Sequence, residues 1–490
     1  MAAPPEGSID RVLDFARYAV AAAAVAPGTL LSVARGRMEP QIGEGTDFGG
    51  LRRSEHRVAM AGSREELRSL LAKAARQGEA VTVAGSRHSA NGQTLPRAGG
   101  LQIRLDRASG RWAAPTMVGP TRVRVSAVHT WRSLQAWLRP RGRSCPVLTD
   151  HLTTTIGGTL SVGGGIGTAS VAWGRQLDQV RAFRLVLPDG DEAWCSPEEN
   201  ADLFRHAMGG FGELGVIDEV ELETRPHRPW LAIFRYQHRD LPGAMDLVRQ
   251  ALEHPAVPGD LAHLVVEGPI LDTPFLQFEL GLEADSQQQA RDLLRDAPEA
   301  FAHLERSRRV LGHRAIVKAD QSNDRHNRSA SYVSSLVGYK HIWNDFFFAD
   351  YDSFRRFLCF TRDEVFARRG CRHLMSGLSF AYPGDPLDPV DPAHRRAAFS
   401  FPARQGERYR WSFGFNYSVP PGPQVQPIIE TVATLRREAT ALGAGLYGYG
   451  YAERTAAELR QAYGSVVDDF LALKARVDPS GRFGAGLPLR

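Results

Sequence analysis

The residues best placed to do chemistry lie in Val83-Ala-Gly-Ser-Arg-His-Ser-Ala-Asn-Gly-Gln93. An apolar run ending at Val83 feeds a loop of small and polar residues with His88 at its middle. Small residues let a backbone approach a ligand closely, and successive N–H groups form a nest for an anion such as a pyrophosphate. A histidine held in such a loop is an ordinary loop residue, a hydrogen-bond donor or a covalent tether to a cofactor. The loop alone does not choose among these.

A second stretch supplies a partner half. Thr149-Asp-His-Leu-Thr-Thr-Thr-Ile-Gly-Gly-Thr-Leu-Ser-Val-Gly-Gly-Gly-Ile-Gly167 carries a glycine pair, a triplet and a single glycine, with hydroxyl residues before and between them. Glycine at that density is entropically costly inside a helix or sheet. Ile156, Leu160, Val162 and Ile166 are too apolar for a solvated linker. The stretch reads as a loop wrapped around a flat or charged ligand.

The elements that must hold these loops follow from local pattern. Ser63-Arg-Glu-Glu66 is a capping box, with Leu67, Leu70, Leu71 and Ala74 at helical spacing behind it and Gly78 as the stop. A strand then leads into the first loop. Arg122 to His129 alternates like a strand, and Trp131 to Leu138 reads as a helix ended by Pro140. Val180 to Leu187 and Glu192 to Cys195 flank the turn Pro188-Asp-Gly-Asp191. A helix starting after Ser196 runs to Met208, and Gly209 to Gly215 leads into a strand over Val216 to Glu223. Gly210, Gly212 and Gly215 spell GxGxxG, but after a helix and before a strand, the reverse of a dinucleotide fingerprint. They read as a turn.

Past Arg225-Pro-His-Arg-Pro229 the pattern changes to longer strands (Trp230 to Tyr236, Ala262 to Glu267, Phe275 to Leu282, Tyr409 to Val419) and helices (Gly243 to Glu253, Gln287 to Asp296, Gln426 to Leu442). An antiparallel sheet covered by helices on one face is expected. The aromatic cluster Tyr339 to Tyr351 reads as core, with one or two rings lining a substrate cavity. Leu446-Tyr-Gly-Tyr-Gly-Tyr451 reads as a short strand, and Glu453 to Ala475 as one amphipathic helix.

Composition bounds the rest. The chain has 490 residues, 43% hydrophobic and 23% charged, with 60 Lys and Arg against 55 Asp and Glu, which is ordinary for a globular protein and argues against disorder. The basic residues are interspersed, without the basic–aromatic blocks of a nucleic-acid binder. Cys145, Cys195, Cys359 and Cys371 lack metal-ligand spacing. Ala19 to Ala26 is preceded by Glu6, Asp10 and Asp14, the wrong charge for a secretory segment, and it is too short and interrupted to span a bilayer. A surface helical leader over 1–44, no stable membrane insertion and a cytoplasmic location are expected, with export the alternative.

Several short signatures occur in one order: Asp47-Phe-Gly-Gly50; Gly85-Ser-Arg-His-Ser89 with Gln93; Thr149-Asp-His-Leu152 before Gly157-Gly-Thr-Leu-Ser161; Cys195-Ser-Pro-Glu198 through Leu203-Phe204; Gly212-Glu-Leu-Gly-Val-Ile217; and Asp478-Pro479. This set resembles the FAD-linked oxidase superfamily of vanillyl-alcohol oxidase (the PCMH type), and within it is most similar to the cytokinin dehydrogenases. The resemblance implies an α+β fold: a two-part FAD-binding domain over 45–225, resumed by 447–490, and a substrate domain over 226–446. It implies FAD as cofactor, tethered through His88, with Val83, Gly85, Ser86, Arg87, Ser89 and Gln93 around the pyrophosphate. Thr155, Gly157, Gly158, Ser161 and Gly165 line the second side, and Gly215 and Ile217 meet the cofactor. Arg87 stands where the family has Gly. His151 stands where bicovalent relatives carry a cysteine, so no second tether is expected.

By the same resemblance Asp150 is the catalytic proton acceptor, cofactor-adjacent, working as a hydride leaves the substrate carbon beside an amine or hydroxyl. A carboxylate can do this when burial raises its pKa. Asp150 as a loop cap, and His151 as base, are the competing readings. The implied partners are a small molecule, aromatic or apolar on the evidence of Tyr339 to Tyr351, and O2 or a quinone as electron acceptor. The Arg-, Ala- and Gly-rich composition resembles a high-GC bacterial chain, in which such flavoproteins tailor secondary metabolites. A sugar, polyol or aldonolactone oxidase of the same superfamily is the alternative, as is a flavoprotein without net redox turnover.

Overall fold

The computed structural model describes residues 42–149, 151–259, 261–268, 276–306, 311–318, 338–366, 375–383, 397–399, 404, 406–451 and 456–484. Asp150 and residues 1–41 of the expected leader lie outside the described residues. Among the described residues no helix is long and apolar enough to cross a membrane.

The first half is built from two larger sheets and a two-stranded pairing of Arg143–Ser144 with Arg225–Pro226. A parallel three-stranded sheet orders Arg57–Ala61, Leu101–Leu105 and Val81–Ala84, and the helix Arg64–Gln77 packs Leu67, Leu71 and Ala74 against it. The helix is capped as its sequence requires. The Ser63 side chain accepts from the Glu66 N–H, and Gly78 closes the far end at φ 64°. A five-stranded antiparallel sheet orders Thr116–Met117, Arg122–Ser126, Val216–Glu223, Val180–Val186 and Glu192–Cys195. Its core is closed by the helices Trp131–Leu138, Ile156–Ser161, Ala201–Ala207 and Val466–Val477.

The other half is one eight-stranded antiparallel sheet in the order Leu311–Lys318, Trp230–His238, Leu276–Ala284, Leu261–Gly268, Met375–Pro383, Tyr409–Val419, Lys340–Phe348 and Gly445–Leu446. Strand side chains alternate between faces. Ile342, Phe346 and Phe348 therefore join Phe413, Phe415 and Tyr417 in a core roofed by the helices Leu241–Glu253, Tyr351–Phe360 and Val425–Ala441. The alternate row, Trp343, Asp345 and Phe347 beside Ser412, Gly414 and Asn416, belongs to the opposite face. This is the expected fold class: a two-part FAD-binding half and an antiparallel sheet with helices on one side.

Tyr339 to Tyr351 is a strand followed by a helix start, and Phe346, Phe348 and Tyr351 lie in the helix-side core, as expected. Two other local expectations change. The C-terminal helix is two helices, Ala456–Tyr463 and Val466–Val477, parted by Gly464 at φ 61°. Only Gly445–Leu446 of the tyrosine-rich segment is strand, because residues 448–450 turn their carbonyls away to a side chain of the first loop.

Candidate cofactor and substrate site

The first loop is held from two sides by its own backbone. Phe48 and Gly49 donate N–H bonds to the carbonyls of Arg87 (3.2 Å) and Ser89 (3.3 Å), and Ala90 N–H donates to Tyr449 O (3.2 Å). Each arm continues into the large sheet: His341 N–H donates to Gly49 O (3.0 Å) and Tyr451 N–H to Trp343 O (2.7 Å). Asp47, buried beneath the loop, accepts from Gly92 N–H (2.5 Å), Ser89 Oγ (3.2 Å) and Gly50 N–H (3.3 Å). Burial nevertheless raises its carboxyl to about 6.

Arg87 takes the left-handed backbone at φ 60° that glycine adopts freely. A non-glycine residue there costs about 1–2 kcal/mol. Its guanidinium donates to Gly43 O (2.7 Å) and Thr46 O (2.9 Å), which turns the charge away from the loop. Ser86 Oγ donates to Thr153 O (2.7 Å) and accepts from Arg107 (2.9 Å), joining the first loop to the second.

Between the halves lies a cavity of about 230 Å³. Val83, Gly85, Ser86, Arg87, His88, Ser89 and Gln93 line it from the first loop, and Thr155, Gly157, Gly158, Ser161 and Gly165 from the second. Gly215 and Ile217 complete that end. The structure thus brings together every expected cofactor residue that it describes, and the neighbours of Asp150, Thr149 and His151, line the same space. Glycine is required here for close approach. A side chain at Gly85 would overlap Thr155, one at Gly165 would overlap Thr149, and a Cβ at Gly157 would stand 2.8 Å from Ile217 O.

At the other end the wall changes character. Asp345, Asn416, Tyr447 and Tyr449 face the cavity from the sheet and the C-terminal turn. Asp345 owes its room to Gly414, directly opposite in register, where any side chain would overlap the carboxylate. The Tyr447 and Tyr449 rings lie 4.7 Å apart, and Tyr447 N–H donates to Asp345 O (3.0 Å). Burial, then the Asp345 charge, pushes the Tyr447 hydroxyl well above its ordinary range. Of these residues the sequence offered one signal: a glycine inside the strand Tyr409–Val419 marks a close approach.

Two histidines, His88 and His151, line the cavity, and a third, His341, is buried behind Phe48; all three rings are held neutral. His88 Nε2 lies 3.3 Å from Thr153 Oγ1; burial, the neighbouring His151 and the Arg107 charge hold it down to about 3. Burial holds His151 to about 4, and its ring stacks on Trp343 at 5.1 Å. His341 stacks on Phe48 at 4.1 Å and is held to about 3 by burial, with His151 and Lys340 adding to it.

Residues 56–196 match the FAD binding domain. The cavity fits that cofactor: the two glycine-rich walls meet around it, and at Gly85, Gly157 and Gly165 no side chain could stand without overlapping a neighbour. Residues 56–196 thus carry an FAD binding domain, in keeping with the resemblance to the FAD-linked oxidase superfamily. It is 34% identical over 161 residues to an uncharacterized oxidoreductase of the fasciation locus of Rhodococcoides fascians, covering 33% of this chain and 35% of that protein. It is 30% identical over 208 residues to cytokinin dehydrogenase 1 of Oryza sativa subsp. japonica, covering 41% of this chain and 39% of that protein. The aligned stretches thus span little more than a third of either relative. The fold is shared with xylooligosaccharide oxidase from Myceliophthora thermophila C1, at a TM-score of 0.69 and 15% identity, over 92% of this chain and 96% of that one.

The depressed histidines set a pH dependence. An unfolded chain takes up protons on these side chains below about pH 6.5, while the folded chain does not until about 3 to 4. Their stabilising contribution is therefore complete above pH 6.5 and is lost as pH falls towards 4, by roughly 1.4 kcal/mol per pH unit for each titrating group. Asp47 opposes this in part between about 6 and its ordinary 3.8. Urea midpoints measured from pH 7.5 to 5 should fall with pH, and His341→Gln should flatten the slope. A midpoint independent of pH in the parent protein would contradict the neutral cluster.

Proposed function

We propose that this protein is an FAD-dependent oxidoreductase that takes a hydride from the carbon beside a hydroxyl or amine of a small molecule and passes electrons to O2 or a quinone. The observation that carries the reading is one continuous cavity, lined both by the two glycine-rich stretches and by Asp345, Asn416 and Tyr447 from the large sheet and the C-terminal turn. Bound FAD supplies the hydride acceptor, and the protein positions the donor and manages its proton. Asp150 accepts the hydroxyl or amine proton. His151, held neutral down to about 4 and lining the same cavity, is the competing proton acceptor. The neutral His88 imidazole is the form that can act as a nucleophile towards the cofactor, which supports its role as covalent tether.

The polar wall bears on the donor. Phe346, Phe348 and Tyr351 are core, and Trp343 and Phe347 are buried without lining the cavity, so that cluster offers no ring to an aromatic donor. Asp345 and Asn416 offer hydrogen-bond acceptors to the cavity, and the Asn416 Oδ1 is buried without a partner. This favours a hydroxyl-bearing donor, as in a sugar or polyol oxidase, over a wholly apolar one.

Two measurements test the reading. After acid precipitation of the purified protein, the yellow colour should stay with the pellet and should move to the supernatant in His88→Ala; colour released from the parent protein contradicts the tether. Asp150→Asn should keep its flavin while reduction by donor slows by about 100-fold or more, the scale of a lost general base. Unchanged reduction removes Asp150 from the mechanism, and it would also be expected of a protein that uses FAD without turnover only if the parent were equally inert.

A further inference from the structure

The motif Tyr447-Gly-Tyr-Gly-Tyr451 has a structural cause that reaches the site. Gln93 Nε2 donates into three consecutive carbonyls, Gly448 O (2.9 Å), Tyr449 O (3.0 Å) and Gly450 O (3.3 Å). Its Oε1 accepts the Asn91 N–H at 2.8 Å, so the amide has one orientation. Three carbonyls converging on one point require a donor, and an amide of this length supplies it. A glutamate there would set a carboxylate against them.

Both glycines of the motif are dictated by neighbours. A side chain at Gly448 would overlap the Phe211 ring, and one at Gly450 would overlap Trp343 O. The turn is thus pressed between Phe211 and the sheet while Gln93 draws its carbonyls down. Tyr447 and Tyr449 are left on the cavity wall. The Tyr447 hydroxyl stands 3.4 Å from where a Cβ of Gly165 would lie, beside Thr149 and the second glycine-rich stretch.

We propose that Gln93 is a positioning residue for the substrate end of the cavity, placing the Tyr447 hydroxyl by clasping the 448–450 turn onto the first glycine-rich loop. The inference rests on the FAD reading above. It assigns Gln93 a task distinct from holding the pyrophosphate: Tyr447 stands where the cofactor loop sets it, and the two walls move as one body.

A double-mutant cycle tests this without knowledge of the donor. Sulfite is a small anion whose reversible addition to bound flavin bleaches the visible absorption, so its affinity reports on donors around the ring. It is measured on flavin-loaded parent protein, Gln93→Leu, Tyr447→Phe and the double variant, each normalised to flavin content. If Gln93 acts through Tyr447, Gln93→Leu weakens sulfite about tenfold in the parent, the scale of one displaced hydrogen bond, and less than about twofold once Tyr447 is already Phe. Equal weakening in both backgrounds, or none in either, overturns the proposal. Should Gln93→Leu hold no flavin, Gln93→Met goes through the same cycle, and loss of flavin in both overturns it too, since Gln93 would then serve the cofactor directly. Parent protein without flavin contradicts the cofactor reading itself, a failure recognisable before any variant is compared.

Discussion

The rest of the site depends on the backbone bonds that hold the His88 loop between two arms. Residues 48–49 bind it from one side and Tyr449 from the other, and both arms are anchored in the large sheet at His341 and Trp343. A loop rich in small residues has little packing of its own, so its shape comes from these partners. The same bonds tie the His88 loop to the large sheet. The conformation of one half cannot change without disturbing the other.

That constraint explains the distribution of glycine and of charge. Where walls meet, at Gly85, Gly157 and Gly165, no side chain fits; where Asp345 needs room, Gly414 provides it. The cavity borders two neutral histidines, His88 and His151, and Arg87, although in the loop, directs its charge to the carbonyls of Gly43 and Thr46. The large sheet divides its two faces by the same logic: one row of Phe and Tyr side chains under helices, one row with Asp345 and Asn416 towards the cavity.

The cofactor end was legible in the sequence because close backbone approach demands glycine whatever the ligand, and the demand is local. His88, Gln93, Thr155 and Ile217 came with those signatures and line the cavity together. The substrate end was not legible. Asp345 and Asn416 are single polar residues in strands, and which face each occupies depends on a register fixed by partners far along the chain. Of the Tyr339 to Tyr351 cluster only Asp345 lines the cavity, because alternate residues of one strand serve different faces. Tyr-Gly-Tyr-Gly-Tyr alternates like a strand, yet its glycines answer to Phe211 and Trp343 rather than to a sheet. Gly464 parted a helix whose apolar spacing otherwise ran on.

The central claim is that this one cavity joins a bound flavin to a small-molecule hydride donor. The most direct measurement is the visible absorption of the purified protein under anaerobic conditions as alcohols, amines, sugars and polyols are added in turn. The account predicts that the flavin band bleaches with at least one hydroxyl-bearing class and returns when O2 or a quinone is admitted. Flavin that stays oxidised with every class would contradict it.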